Sequence, residues 1–339
     1  MRHVNIPIFI PHLGCPNQCV FCNQRHISGV SRFDPASVIP TIESALTTVT
    51  DDTDVEIAFF GGSFTGIDRK LMIELLKIAN SYIQNGRVSS IRCSTRPDYI
   101  NDEILSILAE YGVKTIELGL QTASDAVLSL SKRGHSFSDE KNACKMIVAR
   151  GFSLVGQMMI GLPGATPRSE VETAEFIISS GASGARIYPT VVFHDTELCS
   201  MAESGEYDPL SIEEAISRSV EPLMKFLDAG IEVIRIGLCA SENLSDASTY
   251  HSGPNHPALG ELIMSRVYYK RAEQLLSGSS CHGKTAVIYV PIGSLSKVIG
   301  QKKENKLRLI REFGLADVKF VQSDELAQYE LKLAFEGDT

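Results

Sequence analysis

Short runs of β-branched and other apolar residues alternate along most of this chain with stretches whose apolar positions recur at helical spacing. The runs predict strands over 4–10, 55–60, 90–95, 115–120, 154–160, 185–190 and 232–238. Helices with readable starts and stops follow most of them. Asp68 precedes a stripe of Leu71, Met72, Leu75, Leu76 and Ala79 that ends near Gly86, and Asn101 precedes Ile104, Leu105 and Leu108, closed by Gly112. Thr166 caps a helix with Pro167 at its first position and Gly181 at its end, and Ser211 opens another that stops at Gly230. Such alternation predicts an α/β protein with a parallel sheet, either doubly wound or barrel-like. Both architectures gather chemistry at the C-terminal ends of strands. Three cysteines follow the first run here, Gly61-Gly62-Ser63 the second, Arg96 the third and Gln121 the fourth.

The pattern changes after Gly283. A strand (286–290), two short helices (294–299 and 306–313), a strand (318–321) and a further strand over 329–335 predict a small α/β module. Charge shifts at the same place. The whole chain carries −9, whereas residues 283–339 hold nine basic and eight acidic side chains, leaving −10 on the first 282. The expected organisation is a barrel over 1–260, a helical connector over 261–282 and the module over 283–339. With 339 residues, 43% hydrophobic and 22% charged, the chain has the balance of an ordinary globular protein and excludes disorder, collagen and coiled-coil rods. No apolar run approaches the roughly 20 residues of a membrane helix, and Pro7 and Pro11 break the N-terminal apolar stretch. A cytoplasmic protein without a membrane partner is expected.

Eight cysteines without an export signal read as thiols or metal ligands before disulfides. Cys15, Cys19 and Cys22 are separated by three and then two residues. Three thiolates on one loop suit three irons of a 4Fe–4S cluster with the fourth iron left open. The alternative is zinc completed by His12 or His26, although structural zinc usually draws on two separated ligand pairs.

The cysteine loop after a first strand, with Phe21 before the last cysteine, resembles the radical S-adenosylmethionine (SAM) superfamily. Within it the chain is most similar to the radical SAM portion of the Elongator catalytic subunit, a tRNA-modifying family. The resemblance runs over residues 1–260 through Phe60-Gly61-Gly62-Ser63-Phe64-Thr65, Ser94-Thr95-Arg96-Pro97-Asp98, Glu117-Leu118-Gly119-Leu120-Gln121, Lys132-Arg133-Gly134-His135, Gly161-Leu162-Pro163-Gly164 and Arg186-Ile187-Tyr188-Pro189-Thr190. It implies a partial TIM-type barrel, a 4Fe–4S cluster on Cys15, Cys19 and Cys22, and SAM as the second cofactor. It further implies reductive SAM cleavage to a 5′-deoxyadenosyl radical, with an electron donor such as flavodoxin or ferredoxin.

Several SAM contacts follow from the same resemblance. Gly61 and Gly62 would let the backbone approach the methionyl amino group; Ser63 stands where the superfamily often has Glu. Gln121 and Arg133, twelve apart, match a Gln and Arg pair of the oxygen-independent coproporphyrinogen oxidase branch. Gln157 falls at a ribose-contacting Asp of that branch, and Ser94 at an acidic contact. On the substrate side, His135 is a proton donor, a substrate contact or a helix-terminal histidine. Tyr188 faces the barrel mouth or packs, and Cys239 is a mouth residue or an inert thiol.

The C-terminal module resembles a KH RNA-binding core, whose Gly-x-x-Gly loop clamps a nucleotide backbone. Gly300 begins that loop here and Lys303 stands at the second glycine position. Residues 297–311 carry six basic side chains against Glu304, so Lys302, Lys303 and their neighbours would contact RNA, tRNA above all; a solvated scaffold face is the alternative. The Elongator family also carries an acetyltransferase domain, and the 57 residues of 283–339 are too few for one and contain no acetyl-CoA pyrophosphate loop. Three functions therefore stay open: a radical SAM enzyme for RNA, one for a small molecule such as a tetrapyrrole, or a non-catalytic iron–sulfur protein that binds RNA or senses redox state.

Overall fold

Strand order decides between the two parallel architectures. Seven strands, β1 (Arg2–Ile10), β2 (Thr53–Gly61), β3 (Ser90–Thr95), β4 (Val113–Gln121), β5 (Ser153–Ile160), β6 (Gly184–Pro189) and β8 (Glu232–Ile236), lie side by side in chain order. Every neighbouring pair is parallel. A doubly wound sheet reverses its order at a switch point. This one never reverses, so it winds in one direction and forms an open half-barrel. The computed structural model describes residues 2–11, 13–15, 19–24, 26, 33–50, 52–238 and 248–337.

The period of two along each strand separates two environments. Ile57, Phe59, Ile91, Cys93, Ile116, Leu118, Leu154, Met158, Ala185 and Ile187 are buried in one core with residues of the helices. The alternate positions Glu56, Arg92, Glu117, Gln157 and Arg186 are polar and bond to one another inside the half-barrel. The helices between the strands are α1 (Val38–Leu46), α2 (Arg69–Gln84), α3 (Asp102–Glu110), α4 (Asp125–Leu130), α5 (Phe137–Ala149), α6 (Pro167–Ser179), α7 (Glu197–Ser204) and α8 (Ile212–Asp228). Their starts use the expected caps: Asp68 accepts from the amides of Lys70 and Leu71, and Asn101 from that of Ile104. Thr166 with Ser169, and Ser211 with Glu214, make reciprocal capping boxes. Helix α1, helices α4, α5 and α7, and the short antiparallel pair β7 (Val192–Phe193) and β9 (Tyr250–Ser252) add to the elements read from sequence.

Helix α9 (Leu259–Ser277) joins the half-barrel to the C-terminal part. Its Ile263, Val267 and Tyr269 share one apolar core with α8 and with β10 (Thr285–Pro291), α10 (Leu295–Ile299), α11 (Glu304–Phe313), β11 (Asp317–Ser323) and β12 (Lys332–Phe335). Tyr268 stacks on Tyr329 and donates its hydroxyl to Ser294 at 2.8 Å. The small sheet runs β11-β10-β12, parallel on one side of β10 and antiparallel on the other. The strand–helix–helix–strand order expected after Gly283 is therefore present. Between the helices, Lys302 and Lys303 are exposed and hold φ values of 50° and 64°, a left-handed conformation that glycine adopts more cheaply. Buried Asn305 anchors this turn: its amide donates to the Val298 carbonyl at 3.1 Å and to Ser265 Oγ at 3.0 Å on α9.

Candidate functional site

Two loops at the ends of β1 and β2 interlock before any thiol is placed. The Gly62 amide donates to the Ile10 carbonyl at 2.9 Å, and the Ser63 amide to the Leu13 carbonyl at 3.1 Å. A Cβ on Gly62 would stand 2.1 Å from the Leu13 carbonyl oxygen, and one on Gly14 would stand 2.2 Å from that of Ser63. Backbone cannot retreat from such contacts, so glycine is required at both positions.

The thiols follow directly. Cys19 is buried, whereas Cys15 and Cys22 are half-buried. The Cys22 amide closes a turn on the Cys19 carbonyl at 3.0 Å. Burial pushes the Cys22 thiol up to about 12, and the neighbouring Cys19 and Cys15 add to the effect. The same causes raise Cys15. A bound cation would displace these protons, since the ligating form is the thiolate. Among the described residues no fourth cysteine joins them. His26 turns Nδ1 to the Thr249 carbonyl at 3.0 Å and Nε2 to Asp195 at 3.6 Å. His12 lies outside the described residues.

Positive charge converges on this loop. Arg133 is 6% exposed, in the turn after α4, and donates to Cys19 Sγ at 3.3 Å and to the Gly119 carbonyl. Arg96, after β3, donates to both carboxylate oxygens of Asp98 at 2.9 Å and to the Arg133 carbonyl. His135 accepts from Arg96 at Nδ1 (3.4 Å) and meets Glu140 at Nε2 (3.1 Å). Burial, then Arg133 and Arg96, push the imidazole down to about 4, so at neutral pH it is uncharged and keeps its acceptor. Burial raises the Glu140 carboxyl.

Gln121 sits where β4 slips register against β5, with φ of 72°. Its Oε1 is buried without a partner among the described residues. Gly119 makes room beside it, since a Cβ there would lie 3.0 Å from Gln121 Nε2 and 3.4 Å from an Arg133 nitrogen. An orphaned acceptor next to a guanidinium that itself reaches Cys19 fits a ligand carrying amino or hydroxyl donors and a carboxylate.

Deeper inside, Glu117 has no exposed surface and accepts from Arg92 (2.9 Å), Gln157 (2.8 Å) and Arg186 (2.8 and 3.0 Å). Arg92 also donates to Glu56 at 2.9 Å. Tyr188 lies two residues beyond Arg186 on the same face of β6, and burial raises its hydroxyl despite Arg186.

Several site expectations change in this setting. The Ser63 side chain is fully buried in a hydroxyl ladder, 2.8 Å from Thr95, which lies 2.6 Å from Thr65, so its hydroxyl ties two strand ends together instead of facing a ligand. The His135 ring has no exposed surface for a substrate to touch. Arg133 is buried in its turn beside Cys19. The Gln157 amide donates to Glu117, and half-buried Ser94 lies in register with Glu117. Phe21 packs against the apolar group of Val20, Val192, Leu198, Cys199 and Tyr207, so it anchors the loop. Cys239 lies outside the described residues. The sequence reading passed over Arg96 as a structural partner and missed the Glu117 network and Glu140; the available signal was charged residues in the middle of otherwise apolar runs.

Residues 9–177 match the family described as the radical SAM superfamily, and residues 182–269 match a radical SAM C-terminal domain. An uncharacterized protein of Methanocaldococcus jannaschii is 31% identical over 225 residues, 62% of this chain and 68% of that protein. A tRNA uridine(34) acetyltransferase of the same organism is 29% identical over 157 residues, which are 45% of this chain and only 29% of that enzyme. Among solved structures, the archaeal Elp3 of Methanocaldococcus infernus, with an N-terminal deletion, superposes with a TM-score of 0.58 at 21% identity, covering 80% of this chain and 63% of that one. That likeness is one of fold.

Proposed function

The chain belongs to the radical SAM superfamily, and from this premise we propose an enzyme that uses a 4Fe–4S cluster and SAM to modify RNA, with tRNA as the substrate class. One observation carries the cofactor part: the three thiols, the Arg133 guanidinium and the orphaned Gln121 oxygen converge at the C-terminal edge of the sheet. Cys15, Cys19 and Cys22 would hold the cluster, while Gly61, Gly62, Gln121 and Arg133 would hold SAM. When bound, the pair supplies a 5′-deoxyadenosyl radical that takes a hydrogen atom from the substrate.

The protein's own part is to position and to exclude water. Arg133 sets a permanent positive charge 3.3 Å from Cys19 Sγ. His135 and Glu140 are positioning residues: the neutral imidazole accepts from Arg96, and Arg96 holds the Arg133 carbonyl. Because His135 stays neutral above about 4, this acceptor persists across the physiological range. Gln157 and Ser94, the further expected SAM contacts, stand beside Glu117 in the polar interior of the half-barrel, and Tyr188 is the candidate on the substrate side.

Arg133→Ala and Gln121→Ala are expected to retain iron while weakening SAM. Losing a charge-assisted hydrogen bond at Arg133 costs on the order of 10- to 100-fold in affinity, and losing the neutral one at Gln121 costs less. Anaerobic calorimetric titration with SAM measures both. Unchanged affinity in the two variants would remove these residues from the site without touching the cluster assignment.

RNA as substrate is supported by the matched tRNA-modifying relatives and by the turn after α10. Lys306 and Arg308 are paired with Asp317 and Glu312, so Lys302 and Lys303 are the exposed cations at the turn itself. They would bind phosphate without reading bases. Replacing both with Glu is expected to weaken binding of total tRNA across sequences and to lower the salt slope by roughly two. SAM cleavage without substrate is expected to stay unaltered. Gel-shift titrations at several salt concentrations test this; equal affinities of wild type and variant would favour a small-molecule substrate.

A further inference from the structure

A second group of metal-type donors lies outside the cluster loop. Among the described residues, donor atoms of Cys199, Glu203 and His251 all fall within 4.8 Å of one another. His194 stands beside them: its Nδ1 is 3.9 Å from Cys199 Sγ, and its ring meets that of His251 edge-on at 5.8 Å between centroids. We propose that Cys199, Glu203 and His251, with His194 as the adjacent further donor, form a binding site for a divalent transition metal, zinc by donor type, that straps helix α7 to strand β9.

Local structure explains why these four meet. Cys199 and Glu203 are four apart on α7 and so share one helix face. His194 follows β7 directly, and His251 is the middle residue of β9, which pairs antiparallel with β7. The His194 amide adds a bond to the Thr249 carbonyl at 3.3 Å. Two chain segments far apart in sequence thus deliver a thiol, a carboxylate and an imidazole to one point, with the His194 imidazole next to the thiol.

The spacing suits a tetrahedral ion. Zinc bonds of about 2.3 Å to sulfur and about 2.0–2.1 Å to nitrogen or oxygen imply ligand–ligand edges of roughly 3.6 Å. Cys199 Sγ lies 3.9 Å from His194 Nδ1 and 3.8 Å from a Glu203 oxygen. These separations are long for hydrogen bonds and within a few tenths of an ångström of tetrahedral edges. A thiolate with imidazole and carboxylate selects zinc or cobalt over magnesium or calcium, which prefer all-oxygen sites. His251 Nδ1 is 2.8 Å from Ser252 Oγ, which leaves the opposite ring nitrogen for the ion and fixes the ring as second partners of metal-bound histidines do. Glu203 and His251 are exposed, so the ion has an entry path.

Position gives the site its consequence. The Leu198 amide donates to the Val20 carbonyl at 2.8 Å, and Cys199 shares an apolar group with Val20 and Phe21. A metal strap at α7 therefore braces the outer wall of the Cys15–Cys22 loop without using any of its thiols.

The test is elemental analysis of the full chain, purified anaerobically and then equilibrated with limiting zinc. About one zinc per chain is expected, insensitive to Cys15, Cys19 and Cys22 replaced together by alanine. Cys199→Ser and, separately, His251→Ala are expected to lose zinc by at least about tenfold in affinity. Iron content stays that of the parent chain, and Cys281→Ser, at a buried thiol elsewhere, leaves zinc in place. In the chain without the cluster cysteines, Co²⁺ is expected to give tetrahedral visible bands with a thiolate charge-transfer band that Cys199→Ser removes. Should Cys199→Ser not fold, the exposed His251→Ala still reports. Absence of zinc uptake by the parent chain, zinc unchanged in both variants, or zinc lost only with the cluster cysteines would overturn the proposal.

Discussion

Replacement of Cys15, Cys19 and Cys22 together by alanine is expected to yield a folded chain that binds no iron and shows no broad visible absorption after anaerobic reconstitution. The fold survives because the buried core runs through the strands, the helices and α9, none of which depends on the three thiols. The loop itself keeps its backbone contacts from Gly62 and Ser63 to Ile10 and Leu13. Iron is lost because no described cysteine beyond these three approaches the site, and each thiol contributes one of the scarce anionic donors. Cys22, held near 12 by burial and by its neighbours, ligates only after losing a proton, so cluster assembly by the wild type proceeds further as pH rises. Iron assay, absorption spectra and far-ultraviolet circular dichroism check the result together. A full cluster in the triple variant, or wild-type zinc that disappears with these three cysteines, would end the assignment.

What the chain disclosed in advance follows from how local each feature is. Residues 90–95 were expected as a strand and form one with the same bounds, because alternating burial is written in consecutive residues. The helix caps at Asp68, Asn101, Thr166 and Ser211 were equally local. Cysteine spacing is local too, and it points to the site directly. Alternation alone left barrel and doubly wound sheet open, since both begin with the same pattern and differ only in which strands pair; the resemblance carried by the cysteine loop and the motifs after it implied the partial barrel, and the strand order bears it out. Helix α5 escaped notice because its buried face includes Glu140 among Ala143, Cys144 and Ile147, which breaks the apolar stripe. The role of Ser63 escaped for a different reason: its hydroxyl is claimed by Thr95, thirty-two residues on. His135 read as a proton donor, a substrate contact or a helix-terminal histidine, and only the fold brings Arg96, thirty-nine residues away, to its ring opposite the nearby Glu140. Zinc-type donors at Cys199 and His251 were invisible for the same cause, because only the β7–β9 pairing brings them together.

Glu117→Ala is expected to destabilise the chain by about 3–5 kcal/mol, the range found when one partner of a buried ion pair is removed. The carboxylate has no exposed surface and answers Arg92, Arg186 and Gln157 at once, so alanine leaves two guanidiniums without it in a water-poor interior. Glu117→Gln retains an acceptor and is expected to lose less. Burial alone would raise the Glu117 carboxyl, but Arg186 and Arg92 outweigh it and hold it below the usual value. The sign for stability follows: a carboxyl depressed in the folded state contributes fully above the ordinary carboxylate value of 4.5, and the contribution is lost as pH falls through the lower folded value. Wild type and Glu117→Gln are thus expected to differ in denaturant midpoint at neutral pH and to converge in acid. Guanidinium unfolding monitored by circular dichroism at stepped pH measures the gap. A gap that stays constant into acid would mean that the carboxylate charge is not what the two arginines require. Because Arg186 and Gln157 also set the polar face beside Tyr188, the same variant is expected to blunt turnover more than SAM affinity, for which the proposed contacts are Gln121, at the C-terminal end of β4, and Arg133.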